Sequence, residues 1–162
     1  MVKYFYDGVV QAASLLLIIG AATALSYFIT TKQIPAMVVD VISGMVDSKF
    51  MLLIVLMIFL FIAGCFVDTI PLIVILAPIL VPLLNMYDVE LIHFGIMAVL
   101  ASQMGYISPP FGTNLFVTVQ VSKKSFGFVA KSVVPFIIVL FVVAWVICFV
   151  PQISMFLPNM MK

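Results

Sequence analysis

Two short groups of residues in this chain have side chains and backbone suited to chemistry. The first is Asp68-Thr69, the second Gly105-Tyr106-Ile107-Ser108-Pro109-Pro110-Phe111-Gly112. Asp68 is the only acidic residue in the apolar tract from 50 to 84. A carboxylate at membrane depth costs about 2.5–3.5 kcal/mol on insertion scales, which makes it a candidate for a functional site. The alternative is a shallow position where Asp68 caps a helix. Pro109 and Pro110 supply no N–H and clash with the preceding turn. Flanked by Gly105 and Gly112, they predict a helix broken inside an apolar stretch from about 92 to 121. Backbone groups freed in lipid cost several kcal/mol each unless protein, water or an ion satisfies them. Exposed carbonyls and the Ser108 hydroxyl suit a hard cation such as sodium. The half-helix starting near Thr113 points its positive end into the same region and favours an anion. The alternative is a kink with a packing role only.

Little else in the sequence suggests catalysis. His93 stands alone and reads as an interfacial residue at the end of its helix. No H-E-x-x-H pair, Cys/His cluster or phosphate-binding P-loop is present,. Cys65 and Cys148 sit in apolar segments and read as packing residues. The chain is therefore not expected to be an enzyme, and no catalytic residue or organic cofactor is assigned.

The elements that must hold these groups are membrane-grade. Of 162 residues, 66% are hydrophobic and 8% charged, with a mean hydropathy of +1.40. Soluble domains are about 25% charged. A net charge of +1, from seven scattered lysines, leaves no nucleic-acid footprint. The first spanning helix falls within 1–29, and Asp7 after Lys3 argues against a cleaved signal. Residues 36–48 carry Asp40, Ser43, Gly44 and Asp47 at helical spacing, which predicts an interfacial amphipathic helix. Residues 50–84 predict a re-entrant hairpin, because the run after Pro71 is short and Pro78 and Pro82 interrupt it. Its tip would carry Asp68 and Thr69. Residues 89–121 predict the broken spanning helix, 132–150 the last span, and 151–162 a short tail. Lys123, Lys124 and Lys131 place 122–131 in the cytoplasm by the positive-inside rule. The turn at 85–90 then lies outside, and the first span runs from inside to outside.

The ordered motifs Gly64-x-x-x-Asp68, Pro78-Ile-Leu-Val-Pro82, His93-Phe94-Gly95, Gly105 to Phe116 and Pro135-Phe136 resemble the large membrane subunit of tripartite ATP-independent periplasmic (TRAP) transporters. The likeness runs from about residue 10 to 158 and is to the C-terminal repeat of that subunit. It implies an all-α integral membrane fold, one inverted repeat of an elevator-type carrier. It also implies a multi-pass protein of the bacterial inner membrane that imports small organic acids with Na+ as coupling ion. The implied partners are a small membrane subunit, a periplasmic solute-binding protein and the N-terminal half of the large subunit, all within the lipid bilayer.

By that resemblance the hairpin-tip acid falls on Asp68. The sodium site falls on Gly105, Ser108, Pro109, Pro110 and Gly112, mainly through backbone oxygens. Asp68, Thr69, Thr113 and Asn114 are the implied substrate contacts. The chain departs from the family pattern at Ser108, where Thr is usual, and at Ala101 and Phe111, where Asn and a small aliphatic residue are common. These departures leave the sodium site intact and the solute open. Family members are more than twice as long, so one repeat would hold half of the substrate cavity. A non-transporting assembly or scaffold subunit, or a truncated fragment, is the alternative.

Overall fold

The computed structural model of the chain describes residues 2–109 and 112–161. Among these residues the fold is all-α: α1 Val2–Thr31, α2 Ile34–Ser43, α3 Lys49–Gly64, α4 Thr69–Met86, α5 Leu91–Tyr106, α6 Thr113–Ser122, α7 Phe126–Phe149 and α8 Pro151–Met160. Three helices are long and apolar enough to cross a membrane: Lys3–Thr31, Thr69–Met86 and Phe126–Phe149.

Helix α1 has 30 residues, about 45 Å at about 1.5 Å per residue. Four of its hydroxyls find partners within the helix. Ser14, Thr23, Thr30 and Thr31 donate to the carbonyls of Val10, Ile19, Ser26 and Tyr27, one turn back. That satisfies them in an environment without water. Its least exposed positions, Ile19, Ala22, Ser26 and Ile29, form one stripe, and α1 packs on α4.

Helix α2 ends at Ser43, earlier than the predicted 48. The Gly44 N–H bonds back to the Ile42 carbonyl, and Asp47 stands in the following loop. The predicted polar stripe is therefore cut to Asp40 and Ser43. Ser48 then starts α3, its hydroxyl accepting from Met51 N–H at 3.2 Å, as an N-cap residue does.

Helices α3 and α4 turn back on each other through residues 65–68. Their far ends are tied together. Lys49 Nζ donates to the Asp88 carbonyl at 2.5 Å, and Tyr87 Oη donates to the Val46 carbonyl at 2.5 Å. Helix α4 runs 18 residues without interruption through Pro78 and Pro82, longer than the short run expected after Pro71. Membrane helices tolerate such prolines when neighbouring helices pack over the gap. Here Thr30, Gln33, Pro35 and Ala36 of the α1–α2 corner line a cleft with Pro78 and Pro82.

The two arms touch each other little. Helix α3 lies on α5, whereas α4 lies on α1 and α2. An apolar void of about 150 Å³ remains between α4 and α5, lined by residues such as Leu60, Leu76, Leu80, Phe94 and Ala98. The continuous core runs through Leu53 and Leu60, Leu83, Met97 and Met104, and Cys148.

The α3–α5 crossing is a backbone contact. A Cβ on Gly105 would lie 2.6 Å from the Gly64 carbonyl carbon and 2.7 Å from Cys65 N, and closer still to the Phe61 carbonyl oxygen. A Cβ on Gly64 would lie 2.7 Å from Ser102 Cα. Real Cβ atoms do not approach so closely, so glycine is required at both positions. This is the small-residue packing by which membrane helices gain dispersion contact.

The rest of the chain differs from expectation mainly at its end. Lys123 adopts a left-handed φ of 55° and closes α6, and α7 starts at Phe126, ahead of the predicted 132. The predicted tail 151–162 contains helix α8. Pro151 sits in its first turn, where a missing N–H costs nothing.

Gly105→Ala is expected to lower the thermal unfolding midpoint of the chain in detergent by roughly 5 °C or more, because overpacking against backbone costs about 1–3 kcal/mol. Gly95→Ala on the same helix, where a Cβ meets nothing within 4 Å, should leave the midpoint unchanged or raise it.

Candidate functional site at the hairpin tip and helix break

The tip begins where α3 ends, at the Gly64–Gly105 crossing. The N–H groups of Cys65, Phe66 and Val67 bond back to Ile62, Ala63 and Ala63 carbonyls at 3.1, 3.0 and 2.9 Å. Asp68 follows in extended geometry as the N-cap of α4, and its carbonyl accepts from Leu72 N–H at 3.1 Å. Its carboxylate is exposed and makes no capping hydrogen bond. The capping alternative therefore applies to the Asp68 backbone and not to its side chain. Thr69 is only 6% exposed, and its Oγ1 is buried with no hydrogen-bond partner. A buried hydroxyl without a partner costs about 1–3 kcal/mol.

The break begins at the same crossing. Pro109 has no N–H for the Gly105 carbonyl four residues earlier, so that carbonyl accepts from Ser108 N–H at 2.9 Å instead. Ser108, 3% exposed, donates its Oγ proton to the Met104 carbonyl at 2.5 Å. Its own carbonyl accepts from Gly112 N–H at 3.0 Å. The Ser108 hydroxyl proton is thus used internally, and the oxygen keeps lone pairs for a further partner. The Tyr106 carbonyl has lost its i+4 donor to Pro110. A Cβ on Gly112 would lie 3.0 Å from that carbonyl oxygen and 2.7 Å from the Ser108 oxygen. Gly112 therefore lets the chain fold back over these oxygens before α6 begins.

Gly105 thus packs at the root of the tip, and Ser108 is buried one turn further on. No hydrogen bond or ion pair among the described residues joins Asp68 or Thr69 to residues 105–114. Pro109 and Asn114 are exposed, and the Asn114 carbonyl accepts from Thr118 Oγ1 at 2.8 Å. Helix α6 packs on α7, with Phe116 and Phe126 ring centroids 5.3 Å apart. Pro110, Phe111 and the Thr113 side chain lie outside the described residues.

Two polar positions that the motifs did not single out are buried. Ser102, 0% exposed, lies beneath Gly64 and donates to the Ala98 carbonyl at 2.6 Å. Its spacing to Gly105 was the available signal, since small residues three or four apart mark a close helix contact. His93 is 1% exposed, and its Nδ1 lies 2.6 Å from Ser154 Oγ. No local pattern links residues so far apart in sequence.

The broken helix, the hairpin and their shared crossing can be set beside known sequences. Residues 1–153 match the family described as "Tripartite ATP-independent periplasmic transporter, DctM component". The chain belongs to this family. It is 36% identical over 152 residues to a putative TRAP transporter large permease protein of Haemophilus influenzae, covering 93% of this chain and 38% of that protein. It is 35% identical over 145 residues to a C4-dicarboxylate TRAP transporter large permease protein of Pseudomonas aeruginosa, covering 90% of this chain and 34% of the relative. A sialic acid TRAP transporter permease protein of another Haemophilus influenzae strain is 34% identical over 145 residues, covering 90% and 24%. The chain therefore spans between a quarter and two-fifths of the length of these relatives. Membership in a family of transporter permeases, together with the apolar helices, identifies a membrane protein.

Within this TRAP segment, Thr69 offers a direct test. Thr69→Val swaps the unpartnered hydroxyl for a methyl group. It should leave the sodium-free unfolding midpoint unchanged or raise it. A loss of more than about 1 kcal/mol would mean that the protein itself satisfies the hydroxyl.

Proposed function

We propose that the chain is the C-terminal repeat of the permease subunit of a sodium-coupled TRAP transporter in the bacterial inner membrane. It would import a small organic acid delivered by a periplasmic binding protein, together with a small membrane subunit and the N-terminal half of the large subunit. The observation that carries this reading is the glycine crossing, which roots the hairpin tip and the helix break of a family member at one point. The tip would contribute Asp68 and Thr69, and the break would contribute Gly105, Ser108, Pro109 and Gly112, mainly through backbone oxygens. In this reading the hairpin enters and leaves the membrane on the periplasmic side, and residues 122–131 face the cytoplasm.

Hard-cation chemistry suits the break, because carbonyl and hydroxyl oxygens replace a hydration shell without carrying charge. An anion suits the start of α6, where N–H groups lack intrahelical partners. Relatives are named for C4-dicarboxylates, sialic acid and isethionate, all of them acids. Thr113 and Asn114 stand at that helix start, and Asp68 would close the site from the hairpin. Alternating access would come from this unit moving, elevator-fashion, against a scaffold containing α2 and the small subunit.

The decisive experiment reconstitutes the chain with the missing half and both partners, with and without an inward sodium gradient. Uptake of an organic acid should require the gradient. Asp68→Asn and Ser108→Ala should each lower sodium-dependent uptake roughly tenfold, the loss expected when a contact of about 1.5 kcal/mol to a charged group is removed. Uptake indifferent to sodium would overturn the mechanism. No uptake at all from a correctly assembled complex would favour a scaffold role.

A further inference from the structure

The family match ends at residue 153, yet the buried hydrogen bond between His93 and Ser154 reaches past that point. Ser154 has a single proton. Spent on the Pro151 carbonyl at 2.9 Å, it leaves Oγ to accept from His93 Nδ1–H at 2.6 Å,. The bond ties α8 to the first turn of α5, the outer half of the broken helix. Beside the ring lies the backbone of Cys148, at the end of α7. Cys148 is itself 1% exposed.

Helix α8 has little else to hold it. Only Ser154 and Met155 are buried, with Pro151 and Pro158 half-buried on the same side. Ile153, Phe156, Leu157 and Met160 are exposed. Val150, outside helical geometry with φ −121° and ψ 77°, separates α8 from α7. Pro158 removes an N–H from the middle of the ladder. A ten-residue helix that packs on α5 and α7 with only two buried side chains depends strongly on the specific bond it makes.

We infer that α8 is a latch, fastened by the His93–Ser154 hydrogen bond, that closes the outer end of α5 and α7 and shields the Cys148 thiol. His93 is then a positioning residue that acts on α5 through α8, three turns from the break. The latch is independent of sodium coupling and of the solute.

Cys148 is the native reporter, and Cys65, at the hairpin tip, is the internal control. The whole chain, in native membranes, is treated with N-ethylmaleimide, and peptide mass spectrometry follows each thiol separately. In the wild type, Cys148 should react far more slowly than in denatured protein. Ser154→Ala and His93→Ala should speed its modification roughly tenfold or more, the scale set by losing one partner of a buried hydrogen bond. Cys65 should react at an unchanged rate. Ser154→Thr, which keeps the hydroxyl, should retain protection, whereas loss of packing alone would not be rescued this way. Wild-type protection in Ser154→Ala would overturn the latch. So would Cys148 and Cys65 becoming reactive together, because the bond would then hold the whole fold rather than α8.

Discussion

Two helix backbones touch at Gly64 and Gly105, and most of what positions the candidate site follows from that contact. In lipid there is no hydrophobic drive to press helices together, so close approach must come from dispersion and from the absence of side chains. The absence of a Cβ at both glycines, with Ser102 beside them, lets α3 and α5 meet without a spacer. Because the contact lies at the last turn of both helices, it sets where both irregular segments start. The tip at 65–68 and the break after Tyr106 are two departures from one fixed point. Two segments some forty residues apart in sequence are thereby rooted at one backbone contact.

Much of this was legible from residue types that restrict the backbone. Pro109 and Pro110 must end α5, and the glycines around them mark where the chain can turn tightly. Asp68 before Thr69-Ile70-Pro71 reads as the start of a helix, and its backbone takes that place. The geometry around Ser108 was less visible, since its hydroxyl bond to Met104 depends on how the broken turn closes. The length of α4 was misjudged for a physical reason. Pro78 and Pro82 are breakers in water, but here the α1–α2 corner packs over them.

The end of the chain was least legible. Residues 151–162 are a short stretch with two prolines, and the reading as a tail followed from that. Helix α8 takes shape against α5 and α7, and its buried face contains only two residues. The partner of His93 was hidden for the same reason: Ser154 is supplied by a segment whose own structure is tertiary in origin. Local propensity is a weak guide wherever a short helix owes its existence to a docking surface.

The hairpin has a mechanical property that follows from how its arms are shared out. One arm is bound to α5 and the other to α1 and α2, and the pair is pinned at both ends. The pins are the turn at 65–68 and the tie from Lys49 and Tyr87 to Asp88 and Val46. Between the pins, the α4 arm faces α5 across an apolar void rather than a polar seam. A beam fixed at both ends bows; it does not swing. Bowing of the α4 arm toward or away from α5 would change the volume of that void and exchange only dispersion contacts. The side chains that line it offer no hydrogen bond to break, and the polar fastenings stand at the two ends of the hairpin.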